Sequence, residues 1–463
     1  VVRVAPNELS YITPEASKPI YQSNPEFPKD QMHLPAFHNG KPGILAADKQ
    51  NHSRYRRLLA GGFSDKGMRA QQPMIQRHID LLLQRLRAGS VSGSQDISQW
   101  YNWTTFDIIG DLAFGESFDC LQNVKTHDWI ASIQGNVKAI PIINAIRRLG
   151  LDWVIPLIAP KKLLEMRQKN TKFTADKVDQ RLQAGAARGD LWDSVIEGME
   201  KKDRERSSSG GTTGTGGTSG MSRQEMISNA SAIVLAGSET SATLLSGCTW
   251  LLLKNPHLLR KLEDHVRSSF TAGAEIDMIS VGKLDYMLAV LDEALRLYPP
   301  VPAQSNRIVT RGGGGAVIAG KWVPEGVNLI YLYHFCPNFT DTMQTSVAVQ
   351  QYAACRSHTN FHRPDEFLPQ RWLGDEEFAN DRRETSQPFS IGARNCIGRQ
   401  LAYAEMRLIL AKILWHFDLQ LDETKMGNRD WLAEQGVWIL WDRSPLWVHL
   451  KARSANTALG IGE

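Results

Sequence analysis

The ten residues Phe389–Gly398, FSIGARNCIG, set one cysteine among groups suited to holding a metal inside a flat macrocycle. A cysteine thiolate bound to haem iron pushes electron density toward the metal and favours cleavage of a bound O–O bond. Gly392 and Gly398 let the backbone turn tightly where a Cβ beside such a plane would collide. Arg394, two residues ahead of Cys396, offers a permanently charged fork to a haem propionate. The stretch that follows, RQLAYAEMRLILAKILWHF, has apolar residues at helical spacing. Cys396 therefore falls just before a helix N-terminus, whose partial positive charge stabilises a thiolate. The plainer alternative is a buried structural cysteine, the ordinary role of a lone Cys.

Phe389, Gly392, Arg394, Cys396 and Gly398 together form F-x-x-G-x-R-x-C-x-G, which resembles the haem-binding signature of the cytochrome P450 family. Three further motifs stand in that family's order and rough spacing, and the resemblance covers nearly the whole chain. It implies haem b as cofactor, Cys396 as the axial ligand of its iron, and molecular oxygen as co-substrate.

The elements that must position this chemistry are helices. The longest apolar stretch, SAIVLAGSETSATLLSGCTWLLL, runs from Ser231 to Leu253. It is long enough to span a bilayer, but Glu239 at its centre would cost at least about 2.5–3.5 kcal/mol in lipid, so a helix buried across a large domain is expected. Within it Ala236-Gly237-Ser238-Glu239-Thr240 resembles the family's A/G-G-x-D/E-T pattern. The resemblance implies that Gly237 leaves space for oxygen and that Glu239 and Thr240 are the acid and alcohol that deliver protons. A hydroxyl backed by a carboxylate and water can relay them. Read alone, the same residues describe a helix with a solvated Glu and a Thr bonded to the preceding turn.

Glu293 and Arg296 in LDEALRLYPP lie three apart, on one face of a helix that Pro299 and Pro300 end. On an exposed helix such a pair is worth only about 0.3–0.5 kcal/mol. The resemblance adds FLPQRW, with Phe367, Pro369 and Arg371 in the family's F-x-P-x-R-W pattern. It implies a structural cluster of Glu293, Arg296 and Arg371 that locks the loop of Cys396. His52 and Arg56, four apart in NHSRYRR, are one helical turn from each other and could reach one anionic group. Arg307, after PPVP, resembles another arginine that binds a haem propionate. For all three, a solvated surface charge is the alternative.

The 463 residues are enough for several domains by length, and 42% hydrophobic content is ample for a core. Because the motifs from Ala236 to Gly398 surround one cofactor, a single cytochrome P450 domain over residues 1–463 is expected. It should be mainly α, with small β-sheets around Val301 to Val349 and near the C-terminus. A net charge of +4 from dispersed basic residues gives nucleic acid binding little support. Arg54, Arg57 and Arg399 fall near segments that, by the resemblance, face the thiolate side, where an acidic electron donor docks; an ordinary soluble surface is the alternative. The five cysteines, Cys120, Cys248, Cys336, Cys355 and Cys396, lack paired spacing and imply no disulfide framework.

Three segments depart from the family pattern. The opening VVRVAPNELSYITPEA resembles the second strand and following helix of fungal members, so an anchor helix, a hinge and a first helix are expected ahead of Val1 in the parent protein. SSSGGTTGTGGTSG, residues 207–220, reads as a flexible loop. Val327–Gln344, VNLIYLYHFCPNFTDTMQ, interrupts what would otherwise continue GKWVPEG-TSVAVQQYAAC. Its eighteen codons make 54 nucleotides in frame, with Val readable as GTN, Gln as CAG and Thr-Asp as containing CTGAC, so an unspliced intron is suspected. A genuine hairpin insertion is the alternative, and its apolar, uncharged half would be an aggregation hazard if exposed.

Residues and resemblance together imply a haem-thiolate monooxygenase that hydroxylates or epoxidises a small apolar metabolite, using O2 and NADPH-derived electrons. The implied partner is NADPH-cytochrome P450 reductase. The parent protein is expected to be monomeric, on the cytosolic face of the endoplasmic reticulum membrane. PNELSYITPEA and LWDRSPLWVHL resemble fungal tailoring enzymes of secondary metabolism, similar to trichothecene-type hydroxylases. The substrate is expected beneath Pro300–Asn306 and against the helix face Ala232–Ala236. A non-monooxygenase haem-thiolate enzyme, of the nitric oxide reductase or isomerase type, and a haem-binding relic are the other readings.

Overall fold

The computed structural model describes residues 1–31, 41–148, 151–158, 161–209, 220–303, 305–310, 314–327 and 343–453. Helices predominate, and the longest is Arg223–Lys254. It starts where Ser222 closes a capping box: the Ser222 side chain accepts from the Glu225 N–H, and Glu225 accepts from the Ser222 N–H at 2.8 Å. This central helix is buried along nearly its whole length, as a helix apolar on most faces must be. Several of its hydroxyls bond back to the preceding turn, Ser238 donating to Val234, Thr240 to Ala236 and Ser246 to Ala242. Among the described residues no helix is long and apolar enough to cross a membrane.

Helix Ile97–Phe114 is capped by Asp96, whose carboxylate accepts from the N–H groups of Ser98 and Gln99. It packs against the central helix more extensively than any other described pair of elements. Gly237 lies at that crossing, where an added Cβ would stand 2.8 Å from Ile109 Cδ1. Close approach of the two helices at this crossing is one reason for its missing side chain. The main apolar core joins these two helices to Arg399–His416, and a smaller core lies under the first sheet.

The sheets are small, as expected. The first has the order Val2–Ala5, Glu8–Tyr11, Ser346–Val349, Arg307–Ile308. Glu8–Tyr11 runs parallel to Ser346–Val349, Tyr11 facing Val349, while Arg307 stands antiparallel opposite Val347. The opening of the chain supplies a strand, Glu8–Tyr11, followed by helical turns at Pro14–Ala16 and Ser17–Tyr21, and ahead of them one more strand, Val2–Ala5, than the sequence suggested. A second sheet joins Phe417–Leu421, Trp447–Ala452 and Gln95–Asp96.

Two irregular segments fall largely outside the described residues. Of the loop read at 207–220, residues 207–209 end the helix Asp193–Ser209, and 210–219 lie outside the description. Of the suspected insertion, 328–342 lie outside it, with Cys336. Its two ends meet: Gly326–Val327 pairs antiparallel with Met343–Gln344, and the Thr345 N–H donates to the Glu325 carbonyl at 2.9 Å.

Candidate functional site

The loop of Cys396 runs into helix Arg399–His416, whose N-cap is Gly398. Ser390 and Gly392 hold φ of +57° and +81°, and a Cβ on Gly392 would run into the Tyr21 carbonyl. Glycine is required there by neighbouring backbone, where the sequence reading had placed a macrocycle. At Gly398 a Cβ would meet only Phe63, at an ordinary 3.5 Å, so packing within the chain does not demand glycine. The Cys396 N–H donates to the Phe389 carbonyl at 2.9 Å, and the Asn395 N–H to Gly392 at 3.1 Å. The Phe389 ring packs on Tyr403 with centroids 5.1 Å apart, tying the loop to the helix. Arg56 clamps it from outside, donating to the Asn395 carbonyl at 2.6 Å and to Asn395 Oδ1 at 2.5 Å. Arg56 thereby grips the residue before Cys396.

Solvent reaches the Cys396 side chain, whereas Cys120, Cys248 and Cys355 are buried. Burial by surrounding protein pushes the Cys396 thiol up, while the Gly398 N–H, Arg56 and Arg399 act the other way. Those three are the groups that favour a thiolate.

Basic groups converge beside this loop. Arg394 is buried, pairs with Glu26 and donates to the Ala47 carbonyl at 2.7 Å. Lys29 Nζ donates to the Leu45 carbonyl at 2.8 Å, and the Lys29 backbone bridges Arg307. Arg307 and His52 are both buried. Burial, then Arg307 and Arg394, bring Lys29 down to about 7. Burial, then Arg394, Lys29 and Arg56, bring His52 down to about 4. Burial and Arg394 lower Arg307 to about 10. The Glu26 carboxylate opposes all three shifts. Buried cations in excess of carboxylates are costly unless paired, and among the described residues Arg307 Nη1 is buried without a hydrogen-bond partner. A group carrying two carboxylates, as haem does, fits this cluster: it balances the charge and gives Arg307 an acceptor.

Arg394, Arg307 and His52 are thus brought together. Lys29 and Glu26 were not found from sequence, because the bridge from Lys29 to Arg307 joins residues 278 positions apart and leaves no local signature.

The facing wall is the central helix. Ser241 donates to Glu405 of helix Arg399–His416 at 3.2 Å, and Glu405 lies roughly 9 Å along that helix from Arg399. The bond ties the central helix, one residue after Thr240, to the helix that follows the Cys396 loop. Ala236 is exposed and Gly237 and Thr240 partly so within a mostly buried stretch, with Ala236 and Thr240 one turn apart on one face. Ala236 is the more open of the two small residues. The Thr240 hydroxyl donates to the Ala236 carbonyl at 2.7 Å and keeps its lone pairs as acceptors. Glu239 does not turn with it. Its carboxylate pairs with Arg443 Nη2 at 2.7 Å, both side chains only 7% exposed. Arg443, in the segment after Trp441–Asp442, is a further partner that no local spacing revealed.

Glu405 is buried, and desolvation pushes its carboxyl up to about 8. The folded chain therefore holds a proton that the unfolded chain, near 4.5, releases first, so stability falls as pH rises between these values and levels above them. Glu405→Gln keeps an acceptor for Ser241 and removes this loss. The variant is expected to gain about 1 kcal/mol or more over wild type at pH 8 and little at pH 5, measured as urea midpoints at both pH values.

Away from the cleft, Glu293, Arg296 and Arg371 form the expected cluster, all with side chains 0% exposed. Glu293 accepts from Arg296 at 2.7 and 2.9 Å, the Leu368 N–H at 3.0 Å, Trp372 Nε1 at 2.8 Å and Arg371 at 3.3 Å. Arg296 holds the Cys355, Pro364 and Glu366 carbonyls, and Arg371 holds the His362 carbonyl and Asp381. One carboxylate thus organises the segment from Cys355 to Asp381 that precedes the Cys396 loop.

Of the residues read as a docking face, Arg54 is corrected: it is about 10% exposed and pairs with Glu225 at 2.6 Å. Arg57 and Arg399 remain exposed.

Comparison with known proteins agrees with this geometry. The profile of the family described as Cytochrome P450 matches residues 6–338 and 334–434, two pieces that meet inside the suspected insertion. The chain is 72% identical over 454 residues to averantin hydroxylase of Dothistroma septosporum, covering 98% of this chain and 80% of that protein. It is 62% identical over 455 residues to cytochrome P450 monooxygenase stcF of Emericella nidulans, covering 98% and 87%. Among solved structures, the cytochrome P450DA heme domain superposes with a TM-score of 0.73 at 18% identity, covering 97% of this chain and 88% of that one, which speaks to the fold.

Proposed function

Since the chain belongs to the cytochrome P450 family, we propose that it hydroxylates averantin with electrons from NADPH. The class is that of a fungal haem-thiolate monooxygenase acting on a small metabolite; the substrate follows the 72% identity to an averantin hydroxylase. The relatives favour hydroxylation over the nitric oxide reductase, isomerase and relic readings, and averantin over the trichothecene class. The balance is R–H + O2 + NADPH + H⁺ giving R–OH + H2O + NADP⁺. The observation that carries the reading is a solvent-reachable Cys396 on a clamped loop beside buried cations in excess of carboxylates.

Haem bound through Cys396 supplies dioxygen binding and O–O cleavage, which thiolate donation favours. Lys29, Arg307 and Arg394 would hold its carboxylates, with His52 beside them. Ala236 leaves room against the central helix. The Thr240 oxygen accepts a hydrogen bond while its own proton rests on the Ala236 carbonyl, and Glu239 stores the proton that Thr240 passes on. The partner is NADPH-cytochrome P450 reductase, docking across Arg57 and Arg399, with a monomer on the cytosolic face of the endoplasmic reticulum. The test is turnover: holoprotein, reductase, NADPH and averantin should give a product heavier by one oxygen atom. A red-shifted Soret band of the reduced carbon-monoxide complex without that product would sink the substrate, and absence of the band would sink the site.

We also read Val327–Gln344 as dispensable. Its ends already pair, and Thr345 bonds Glu325, so joining Gly326 to Thr345 needs only local adjustment. The shortened chain should retain the red-shifted band and give several-fold more soluble protein, because an apolar segment is removed. Loss of the band on deletion, or a mature transcript that keeps these codons, would count against it.

A further inference from the structure

Asn229 is fully buried in the second turn of the central helix. Asparagine is a weaker helix former than the apolar residues that surround it in sequence, and a buried amide is costly unless both of its ends are bonded. Both are bonded here. Asn229 Oδ1 accepts from the Ile44 N–H at 2.8 Å, while Asn229 Nδ2 donates to the Glu225 carbonyl at 2.8 Å and lies 3.7 Å from Met221 Sδ. A donor meets one end and an acceptor the other, so the amide has a single orientation that neither a carboxylate nor an aliphatic side chain reproduces.

Ile44 belongs to a tight turn, residues 43–47, in which the Gly43 carbonyl accepts from the Ala46 and Ala47 N–H groups at 3.0 and 2.9 Å. The turn rests on the central helix: a Cβ on Gly43 would stand 2.8 Å from the Ser228 carbonyl oxygen. Its own carbonyls hold two members of the basic cluster, Leu45 accepting from Lys29 Nζ at 2.8 Å and Ala47 from Arg394 at 2.7 Å. Directly after the turn, Asp48 caps helix Lys49–Leu59, which carries His52. Glu225, one helical turn before Asn229, holds that helix by pairing with Arg54 and accepting from the Tyr55 hydroxyl at 2.9 Å. Two side chains on one face of the central helix thus fix both the turn and the helix that present the cluster.

We propose that Asn229 is a positioning residue for the haem site: through Ile44 it fixes the turn 43–47, whose carbonyls set the Lys29 ammonium and the Arg394 guanidinium in place. The inference rests on the reading of that cluster as the holder of the haem carboxylates. Asn229 itself touches none of these cations. It acts through two backbone carbonyls, in the way that outer partners orient the groups that grip a metal site.

The experiment compares Asn229→Leu, Gly43→Ala, Lys29→Met and Asn229→Leu/Lys29→Met holoproteins, each first shown to have the red-shifted carbon-monoxide band. Asn229→Leu removes both bonds of the amide. Gly43→Ala keeps every hydrogen-bonding group but pushes the same turn off the Ser228 carbonyl, and it carries the test if Asn229→Leu does not assemble. Two quantities are measured, neither of which needs turnover: the rate of haem transfer to excess apomyoglobin, and the reduction potential of the iron. Asn229→Leu and Gly43→Ala should each speed haem release by about tenfold or more and lower the potential, because carboxylates less well matched by cations favour the more positive, ferric state. In the double variant Asn229→Leu should add little to the effect of Lys29→Met, as expected when one residue acts through the other. Wild-type release and potential in both Asn229→Leu and Gly43→Ala overturn the proposal, and so do effects of Asn229→Leu and Lys29→Met that simply multiply. If Lys29→Met speeds release while the other two do not, only the role of Asn229 is refuted. If Lys29→Met releases haem at the wild-type rate, the reading of the cluster falls and the proposal with it.

Discussion

Cys396→Ser is expected to eliminate the red-shifted Soret band of the reduced carbon-monoxide complex and to lower monooxygenation by at least about a thousandfold, roughly 4 kcal/mol of barrier. A serine hydroxyl is not ionised at neutral pH, so the electron donation that favours O–O cleavage is lost. The fold should survive. The loop is held by the Cys396 N–H on Phe389, the Asn395 N–H on Gly392 and Arg56 on Asn395, and none of these bonds uses the sulfur. The cation cluster is also untouched, so haem should still bind, with an altered spectrum. Spectra of reduced and carbon-monoxide-bound protein, set beside a thermal melt, check both halves. A retained red-shifted band would remove Cys396 from its role, and a collapsed melt would show that the sulfur is structural.

Glu293→Ala is expected to fail at an earlier stage, giving protein that neither holds haem nor melts cooperatively near the wild-type temperature. The side chain is fully buried and accepts from two arginines, one indole and one backbone N–H. Its removal leaves Arg296 and Arg371 as buried cations, with Asp381 as the remaining carboxylate partner of Arg371 among the described residues. Breaking such a pair costs about 3–5 kcal/mol, a large share of the 5–15 kcal/mol that a domain usually has. Glu293→Gln keeps shape and acceptor and should lose less, which separates charge from packing. Haem-to-protein ratio and carbon-monoxide spectra of both variants, made in parallel with wild type, give the measure. Normal haem content in Glu293→Ala would refute the organising role of this carboxylate.

Legibility followed chain distance. Cys396, Arg394 and Phe389 lie within eight residues, and Glu293 with Arg296 within four, so short spacing read together with the family resemblance exposes them. The central helix could be read because its apolar run is long and its charge solitary. Ala236 and Gly237 look alike in sequence, and only the crossing with Ile109 shows which of the two packs closely against a neighbouring helix. Arg56 and Arg54 were recognised as cations, but their partners, Asn395 and Glu225, are more than 150 positions away. Lys29 and Arg443 were missed for the same reason: a lone basic residue in a strand or turn is unremarkable until folding delivers its partner.

The basic cluster around Lys29, Arg307 and Arg394 has a consequence for the life of the chain before it can catalyse anything. In the folded chain these cations are gathered out of water, with Glu26 as the acid among them. A dianion that joins them offsets part of that cost, and whatever binds only the native state adds its own mass-action term to stability. Cofactor supply is therefore expected to stabilise the newly synthesised chain, and at constant transcription the amount of folded protein should rise with haem availability.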